Sequence, residues 1–314
     1  MKKRTSLIAL MLAVMTIFCT ACSPGNGDTP SDGEPGNTGG GSGESVTLNI
    51  GTLEPTDTFD PTVATFNMGP VMVYDTLFVR DYAGTGEIKG NLVSEWEYTD
   101  DTTLLMTLRD DVYFSNGEKL QASDALYSLK RFLTNDQFLT DSGFDNIDFD
   151  NSMADGNTLT LKLYQPSALL IGQMSGLWGS VVCESYVEAN PDSFWDAPVG
   201  TGPYVLVENV SGSHSSYARN ENYWGEAPVP DVVNIYNYSE STTMFIDFEN
   251  GAIDIAVNIA TTDADRLVNG EVDANYKIML TNDIDCITLP EYVEAFDDIR
   301  VRQAIAYALD TEAI

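Results

Sequence analysis

The sequence predicts a mixed sheet protein of the α/β or α+β class, and we take α/β. Two observations carry this prediction. Apolar residues alternate with other residues along several short segments, as in half-buried strands, and elsewhere they recur every three or four residues, as in amphipathic helices. No internal repeat is visible over the 314 residues. The alternating segments lie at 46–50, 104–108, 159–163 and 233–235.

Three segments have helical spacing. Ser123–Leu133 is apolar along one face. Thr242–Asn250 is followed by Gly251, a residue type that commonly ends helices because it adopts positive φ without strain. The last segment begins after Asp298, whose carboxylate suits an N-cap. These three helices complete the predicted secondary structure.

The N-terminal residues have the composition of an export signal. Three basic residues open it, an apolar stretch follows at Leu7–Phe18, and small residues precede Cys22. The apolar stretch is shorter than the roughly 20 residues of a membrane-spanning helix. We therefore predict a signal peptide at 1–21 and a folded part that begins near Val46.

Residues 22–45 predict a lipidated cysteine followed by a flexible linker. The segment Cys19–Cys22 resembles a bacterial lipoprotein box, with Cys19 where leucine is usual, so Cys22 is the expected lipidation site. Residues 23–45 hold eight Gly and three Pro and no apolar residue, a composition that cannot bury enough surface to fold. Two other interpretations remain open: secretion without a lipid, and a C-x-x-C redox or metal pair at the two cysteines.

The composition excludes some functions. The chain has 48 acidic and 15 basic residues, a formal charge of −33, which argues against nucleic acid as a partner because phosphate binding needs a basic surface. An apolar content of 43% is ample for a core. The single histidine, His214, lies in a polar Gly/Ser segment, and no catalytic or phosphate-binding motif is present. We predict a protein that is not an enzyme and needs no cofactor or metal.

Six motifs occur along the chain in one order, and together they carry a family resemblance. They are similar to the motifs L-A-x-x-W, L-R-x-x-V-x-F-S-D/N-G, P-V-G-T-G-P-Y, R-N-x-x-Y-W-G, F-x-x-G-E-I-D and D-x-R-V-R-Q-A-I-x-Y-A-I-D of the extracellular solute-binding proteins, family 5. That family comprises the oligopeptide, dipeptide and nickel receptors of ABC importers. Ala252 stands where the fifth motif usually has Glu. The six segments are Leu92–Trp96, Thr107–Glu118, Pro198–Tyr204, Arg219–Gly225, Phe248–Ile255 and Asp298–Asp310.

The resemblance implies a type II periplasmic-binding-protein-like fold, in which two lobes close on a ligand without chemical change. On this mapping, residues 46–283 form lobe one, and 284–314 cross the hinge and begin lobe two. The sequence stops within its last helix, so we interpret it as an N-terminal fragment. The implied function is that of a lipid-anchored, monomeric receptor in the cell envelope, on the extracellular face of the cytoplasmic membrane or in the periplasm. It would bind peptides and deliver them to the ABC transporter permease.

The resemblance also indicates candidate ligand contacts. Asp60 and Pro61 resemble the family's L-D-P step, and the loop after it, Thr62–Met68, faces the cleft in relatives. The motifs at Pro198–Tyr204 and Arg219–Gly225 are interpreted as scaffold. Two aromatic residues could form walls of the site, although core packing is the alternative for both. The candidate contacts are Ala64, Thr65, Phe66, Asn67, Tyr74 and Trp178.

Some alternatives stay open at this point. Cys286 falls where some relatives carry a disulfide cysteine, and Cys183 is a second candidate or a buried small residue. The acidic segment Asp145–Asp150 allows a calcium-stabilised adhesion or structural module, although its spacing does not fit an EF-hand. Within the transport class, a nickel or metallophore, haem or sugar receptor is the alternative to a peptide receptor.

Overall fold

The computed structural model describes residues 45–63, 68–81, 85–277, 287–290 and 292–310. The strands within these ranges are β1 (Thr47–Thr52), β2 (Phe78–Arg80), β3 (Ile88–Gly90), β4 (Val93–Asp100), β5 (Thr103–Leu108), β6 (Met153–Asp155), β7 (Thr158–Lys162), β8 (Tyr204–Val210), β9 (His214–Arg219), β10 (Val232–Asn237) and β11 (Ile255–Ala256). The helices are α1 (Met68–Val73), α2 (Ala122–Lys130), α3 (Asp136–Ser142), α4 (Leu170–Gln173), α5 (Glu184–Ala189), α6 (Ser241–Glu249), α7 (Thr261–Val268) and α8 (Ile299–Ala308). None of them is long and apolar enough to cross a bilayer.

The larger sheet has the strand order β11-β1-β10-β9-β8 and mixes parallel with antiparallel pairs. β1 runs parallel to both of its neighbours, and Ile50 lies opposite Ile235 of β10 and Ile255 of β11. β9 is antiparallel to β10 and β8. Ile50 and Ile235 pack with Val233 and Tyr217 in one buried cluster, which we call the second core. The apolar alternation of β1 and β10 thus places their buried side chains on this core.

The smaller sheet is antiparallel throughout, in the order β4-β5-β7-β6. Its central strands carry the alternation that predicted them: Leu104, Met106 and Leu108 of β5 are buried, as are Leu159 and Leu161 of β7. These residues and the apolar face of α2 belong to a separate buried cluster, the first core. β2 and β3 form a two-stranded sheet of their own.

The predicted strands and helices are confirmed, with shifted boundaries. α8 ends at Ala308 and Leu309 is extended, so the expectation that the sequence stops within its last helix is wrong. α2 ends at Lys130 and continues as a 3-10 turn over Arg131–Thr134, so the predicted helix end at Leu133 lies in a different helix type. α6 is followed by Gly251 at φ 71°, as its predicted role requires. Asp298 caps α8 by accepting a hydrogen bond from the Arg300 N–H at 2.9 Å.

A buried carboxylate, Asp75, joins several of the family-like motifs. Its Oδ2 accepts hydrogen bonds from the Trp224 indole N–H at 2.8 Å and the Thr201 hydroxyl at 3.1 Å. Its Oδ1 accepts a long one from the Asn91 amide at 3.5 Å. The Arg109 guanidinium lies over the Trp224 ring, 4.4 Å from its centre. Asp75 is 8% exposed, so these donors replace the water that it loses on folding.

The glycine-rich turn at Pro198–Tyr204 lies against the backbone just before Asp75. A Cβ atom on Gly200 would sit 2.1 Å from the Val73 carbonyl oxygen. The Gly202 N–H donates to that same oxygen at 2.8 Å. A side chain cannot fit where two backbones approach so closely, and this contact places the turn in the scaffold, in agreement with its interpretation from the sequence.

We predict that Gly200→Ala destabilises the fold by about 2 kcal/mol or more, because a backbone atom blocks the added methyl group. Gly176→Ala is the matched control, since its Cβ would meet only the Gln173 carbonyl oxygen at an ordinary 3.8 Å. Urea unfolding of both variants measures the difference. Equal stability of the two variants would contradict the close approach at Gly200.

A second prediction concerns pH. Burial raises the pKa of Asp75 above its ordinary 3.8, against the opposing effect of its hydrogen bonds from Trp224, Thr201 and Asn91. Between the ordinary and the raised pKa, the folded state therefore binds more protons than the unfolded state, and stability falls as pH rises. Asp75→Asn removes this titration.

The measured quantity is the wild-type unfolding free energy minus that of Asp75→Asn, from urea titrations at a series of pH values. We expect this difference to fall as pH rises above 3.8 and to level off above the raised pKa. Taking the difference cancels the titration of the other acidic residues. A difference that is constant or rises with pH would show that burial does not govern the Asp75 carboxyl.

Candidate functional site

The predicted contact loop is described only at its two ends. Ala64, Thr65, Phe66 and Asn67 lie outside the described residues, so their role stays a prediction. Val63 on one side is exposed, and Met68 on the other is partly buried against the second core. The described flanks fix where this loop begins and ends.

A buried ion pair anchors the first flank. The Asp60 carboxylate receives two hydrogen bonds from Arg131, Nη1 to Oδ1 at 2.9 Å and Nη2 to Oδ2 at 2.7 Å. Both side chains are largely shielded from solvent. The guanidinium also lies over the Phe194 ring, 4.6 Å from its centre. A two-point contact of this kind fixes direction as well as distance, so Asp60 holds one orientation relative to the end of α2.

The same carboxylate orients the first residue of the loop. Asp60 Oδ1 accepts hydrogen bonds from the Thr62 N–H at 3.0 Å and the Thr62 hydroxyl at 2.9 Å. The Thr62 carbonyl accepts from the Asn135 amide at 3.3 Å. Thr62 is buried, so its side chain contacts the scaffold rather than solvent. The loop thus leaves the scaffold from a position fixed by Asp60 and Asn135.

The second flank is the short helix α1. Gly69 is buried there, and a Cβ atom on it would lie 2.3 Å from Thr56 Cγ2. The helix ends where the Tyr74 N–H donates to the Pro70 carbonyl at 2.8 Å. Both ends of the loop are therefore tied to residues of the scaffold around the second core.

Tyr74 lies in the second core rather than at an open surface. It is 3% exposed, and among the described residues its hydroxyl has no hydrogen-bond partner. Burial, and after it the charge of Asp60, raises the pKa of Tyr74, so the phenol stays neutral. This placement favours core packing, and a ligand contact by Tyr74 stays a prediction.

Trp178 lies in a short 3-10 helix, Leu177–Gly179, and is half-buried. It packs against the first core and meets the Phe138 ring edge-on at 6.4 Å. Tyr74 and Trp178 therefore belong to different cores, and the structure does not bring them together in one cluster. A ligand contact by Trp178 likewise stays a prediction.

A cavity that sequence reasoning did not select opens beside the first flank. Its volume is about 280 Å³, and it is lined by residues 57–59, 195–197 and 206–209. Trp195 contributes an aromatic wall, and Asp57, Asp196 and Glu208 contribute carboxylates. The three segments are far apart in the chain and share no motif, so no signal in the sequence joins them.

The remaining predicted features have defined places. His214 is the first residue of β9, not a loop residue; it stacks on Tyr236 and lies 3.6 Å from the exposed Glu208 carboxylate. Cys183 is a buried free thiol whose pKa is raised by burial, whereas Cys286 and Cys22 lie outside the described residues. A surface contact such as that of His214 contributes little to stability.

The acidic segment shows no metal-site geometry. Asp148 accepts hydrogen bonds from the Asn151 amide at 2.7 Å and the Asn151 N–H at 3.3 Å, so its carboxylate closes a turn. Within the described ranges, no group of three or more His, Cys, Asp or Glu residues is arranged to hold a metal ion. The calcium-stabilised module therefore has no support from the geometry of Asp145–Asp150.

The fold belongs to the class of type II periplasmic binding proteins. NikZ of Campylobacter jejuni, solved in complex with Ni(L-His), superposes with a TM-score of 0.70 at 23% identity, over 85% of this chain and 54% of that one. Residues 87–314 match the sequence model for "Bacterial extracellular solute-binding proteins, family 5 Middle". The chain belongs to the family 5 extracellular solute-binding proteins, as its motifs indicate.

The names of two relatives indicate different ligands. The nickel-binding periplasmic protein of Escherichia coli K12 is 27% identical over 255 residues, which cover 77% of this chain and 47% of that protein. The dipeptide-binding protein of the same organism is 22% identical over 273 residues, 80% of this chain and 51% of that protein. The chain spans about half the length of these curated relatives.

We predict that Tyr74→Phe stabilises the fold by about 1 kcal/mol, because it removes a buried hydroxyl that has no partner among the described residues. Tyr217→Phe is the matched control in the same core: its hydroxyl donates to Ser215 Oγ at 2.9 Å, so its loss should cost about 1 kcal/mol. Urea unfolding measures both. A loss of stability in Tyr74→Phe equal to that in Tyr217→Phe would contradict the unpartnered state.

Proposed function

We propose that this chain is the extracellular substrate-binding component of an ABC importer, which binds peptides and delivers them to a membrane permease. The observation that carries the proposal is the family match over residues 87–314. The dipeptide-binding relative supports a peptide ligand. The chain's own residues supply binding and positioning, with no covalent step.

The loop flanks support a role in binding. Asp60 and Arg131 fix the first flank, and the buried contact of Gly69 with Thr56 fixes the second. A loop whose ends are fixed loses less conformational entropy when a ligand binds it. In the proposal, residues 64–67 contact the ligand through backbone groups as well as side chains, while Tyr74 and Trp178 support the walls of the site.

The proposed location is the cell envelope. Relatives named as periplasmic binding proteins support export of the chain. In the proposal, the signal peptide at 1–21 is removed, Cys22 is lipidated and residues 23–45 act as a spacer from the membrane. The Gly-rich composition of this spacer suits a flexible tether.

Nickel is a second candidate substrate, because one relative and one similar structure are described as nickel-binding. A nickel-binding protein is among the relatives, and NikZ was solved in complex with Ni(L-His). The described part of the chain offers no cluster of metal ligands of its own. If nickel is the cargo, the complex of NikZ with Ni(L-His) favours a form in which the ion is carried by a small chelator.

The test is native mass spectrometry of the protein released from cells that express its gene. It is offered a mixed peptide pool in one arm and nickel with free histidine in the other. Retention of peptide supports the peptide proposal, and retention of nickel with histidine alone supports the second candidate. Retention of neither would overturn both.

We predict that Asn67→Ala weakens binding of the retained ligand about tenfold, the effect of losing a hydrogen bond to the ligand. Asn269→Ala is the matched control, because Asn269 is an exposed residue that ends α7. Isothermal titration calorimetry measures both affinities. Equal affinity in the two variants would show that Asn67 does not contact the ligand. The proposed receptor function would not be affected by that result.

A further inference from the structure

The outer edge of β4 is unpaired. β4 is the outermost strand of the smaller sheet and pairs with β5 only. Among the described residues, no backbone hydrogen bond other than this ladder reaches residues 94–100. All of these residues are exposed. Their outward N–H and C=O groups are therefore available to another extended chain.

This edge has some of the devices that block strand addition and lacks others. Proteins usually protect edges with proline, bulges, short strands, charged side chains or a covering element, and of these β4 has acidic side chains and two register shifts. β4 has eight residues, none of them proline. Its register shifts lie near its ends, between Val93 and Glu95 and between Tyr98 and Asp100, and leave Glu95–Tyr98 regularly paired with β5. The middle of the edge is thus a straight template.

The side chains of this edge have an ordered pattern. Glu95 and Glu97 share one face of the sheet with Thr107 and Leu105 of β5. These four residues and Trp96 line a cavity of about 230 Å³. Neither carboxylate forms an ion pair with any described residue. A strand added beside β4 would therefore meet two exposed carboxylates that have no positive partner.

The opposite face carries two aromatic residues that are held in place. Trp96 is 39% exposed and meets Phe78 edge-on at 5.2 Å. Tyr98 is 40% exposed, and its hydroxyl donates to the Ser167 carbonyl at 3.2 Å. Fixed aromatic side chains offer apolar contact area at little further cost in entropy.

We propose that β4 is a docking edge for an extended, basic segment of a partner protein, which adds a strand beside residues 94–100. Side chains of an added strand alternate between faces, so lysine or arginine at every second position would lie beside Glu95 and Glu97. The intervening apolar side chains would cover Trp96 and Tyr98. A second copy of this chain is the poorer occupant, because it would bring the same two carboxylates to the edge.

The probe is a labelled peptide of alternating lysine and valine, offered to the full chain. Its binding is measured by fluorescence anisotropy, and its position by hydrogen exchange. We expect slower exchange at the backbone amides of residues 94–100. Glu95→Lys/Glu97→Lys should weaken binding about tenfold, since it replaces two attractive cross-strand pairs with repulsive ones.

Two controls separate this site from general attraction to an acidic protein. Glu188→Lys/Asp192→Lys makes the same change in net charge at exposed residues on and after α5, and should leave affinity unchanged. A peptide of the same sequence with alternate backbone nitrogens methylated cannot complete the ladder and should not bind. Retained affinity in Glu95→Lys/Glu97→Lys, or slower exchange elsewhere than at 94–100, would overturn the proposal. The proposal would also be overturned if the chain formed a dimer that Glu95→Lys/Glu97→Lys dissociates, because a second copy would then occupy the edge.

Discussion

The burial of one carboxylate, Asp75, is the constraint on which the placing of the other segments depends. An ionised group is costly to remove from water unless hydrogen bonds replace its solvation. Here the donors come from positions 16, 126 and 149 residues further along the chain. Satisfying Asp75 therefore brings Asn91, Thr201 and Trp224 to one place. Thr201 and Trp224 lie in family motifs and Asn91 directly precedes one, so these motifs share the role of satisfying one buried carboxylate.

The Asp60 carboxylate is also buried and needs partners that replace water, but here the partner is the charged side chain of Arg131. The positive charge of Arg131 and its two hydrogen bonds satisfy the carboxylate, and the Phe194 ring packs against the guanidinium. Because Asp60 also accepts two hydrogen bonds from Thr62, the pair determines where the contact loop leaves the scaffold. Removing one partner of a buried pair is strongly destabilising, so loop position and stability of the second core are linked.

The local elements were predictable because their signals are local. Apolar alternation identified β1, β5, β7 and β10, and a glycine at positive φ identified the end of α6. β4 was not predicted, although its aromatic residues Trp96 and Tyr98 alternate with Glu95 and Glu97. The strands β2, β3, β6, β8, β9 and β11 were not predicted either, and four of them have three residues or fewer, too few for a period to show. The partners of Asp75 could not be predicted either, because hydrogen bonds between residues 126 or 149 positions apart leave no spacing pattern. At the site, Asp60 was found through the family resemblance, whereas its partner Arg131 has no motif that connects the two.

The parallel pairing of β1 with β10 and β11 has a consequence for biosynthesis. Contacts of Asn49 with Asn234 and Asp254 span 185 and 205 residues, so the strand that is synthesised first finds its neighbours last. Closing so long a loop costs entropy and slows folding. For a polypeptide with the predicted signal peptide, this delay is useful, because a chain must stay unfolded while it is threaded through a membrane pore. If the predicted signal peptide directs export, the strand order of the larger sheet would leave β1 without its neighbours until β10 and β11 have been made.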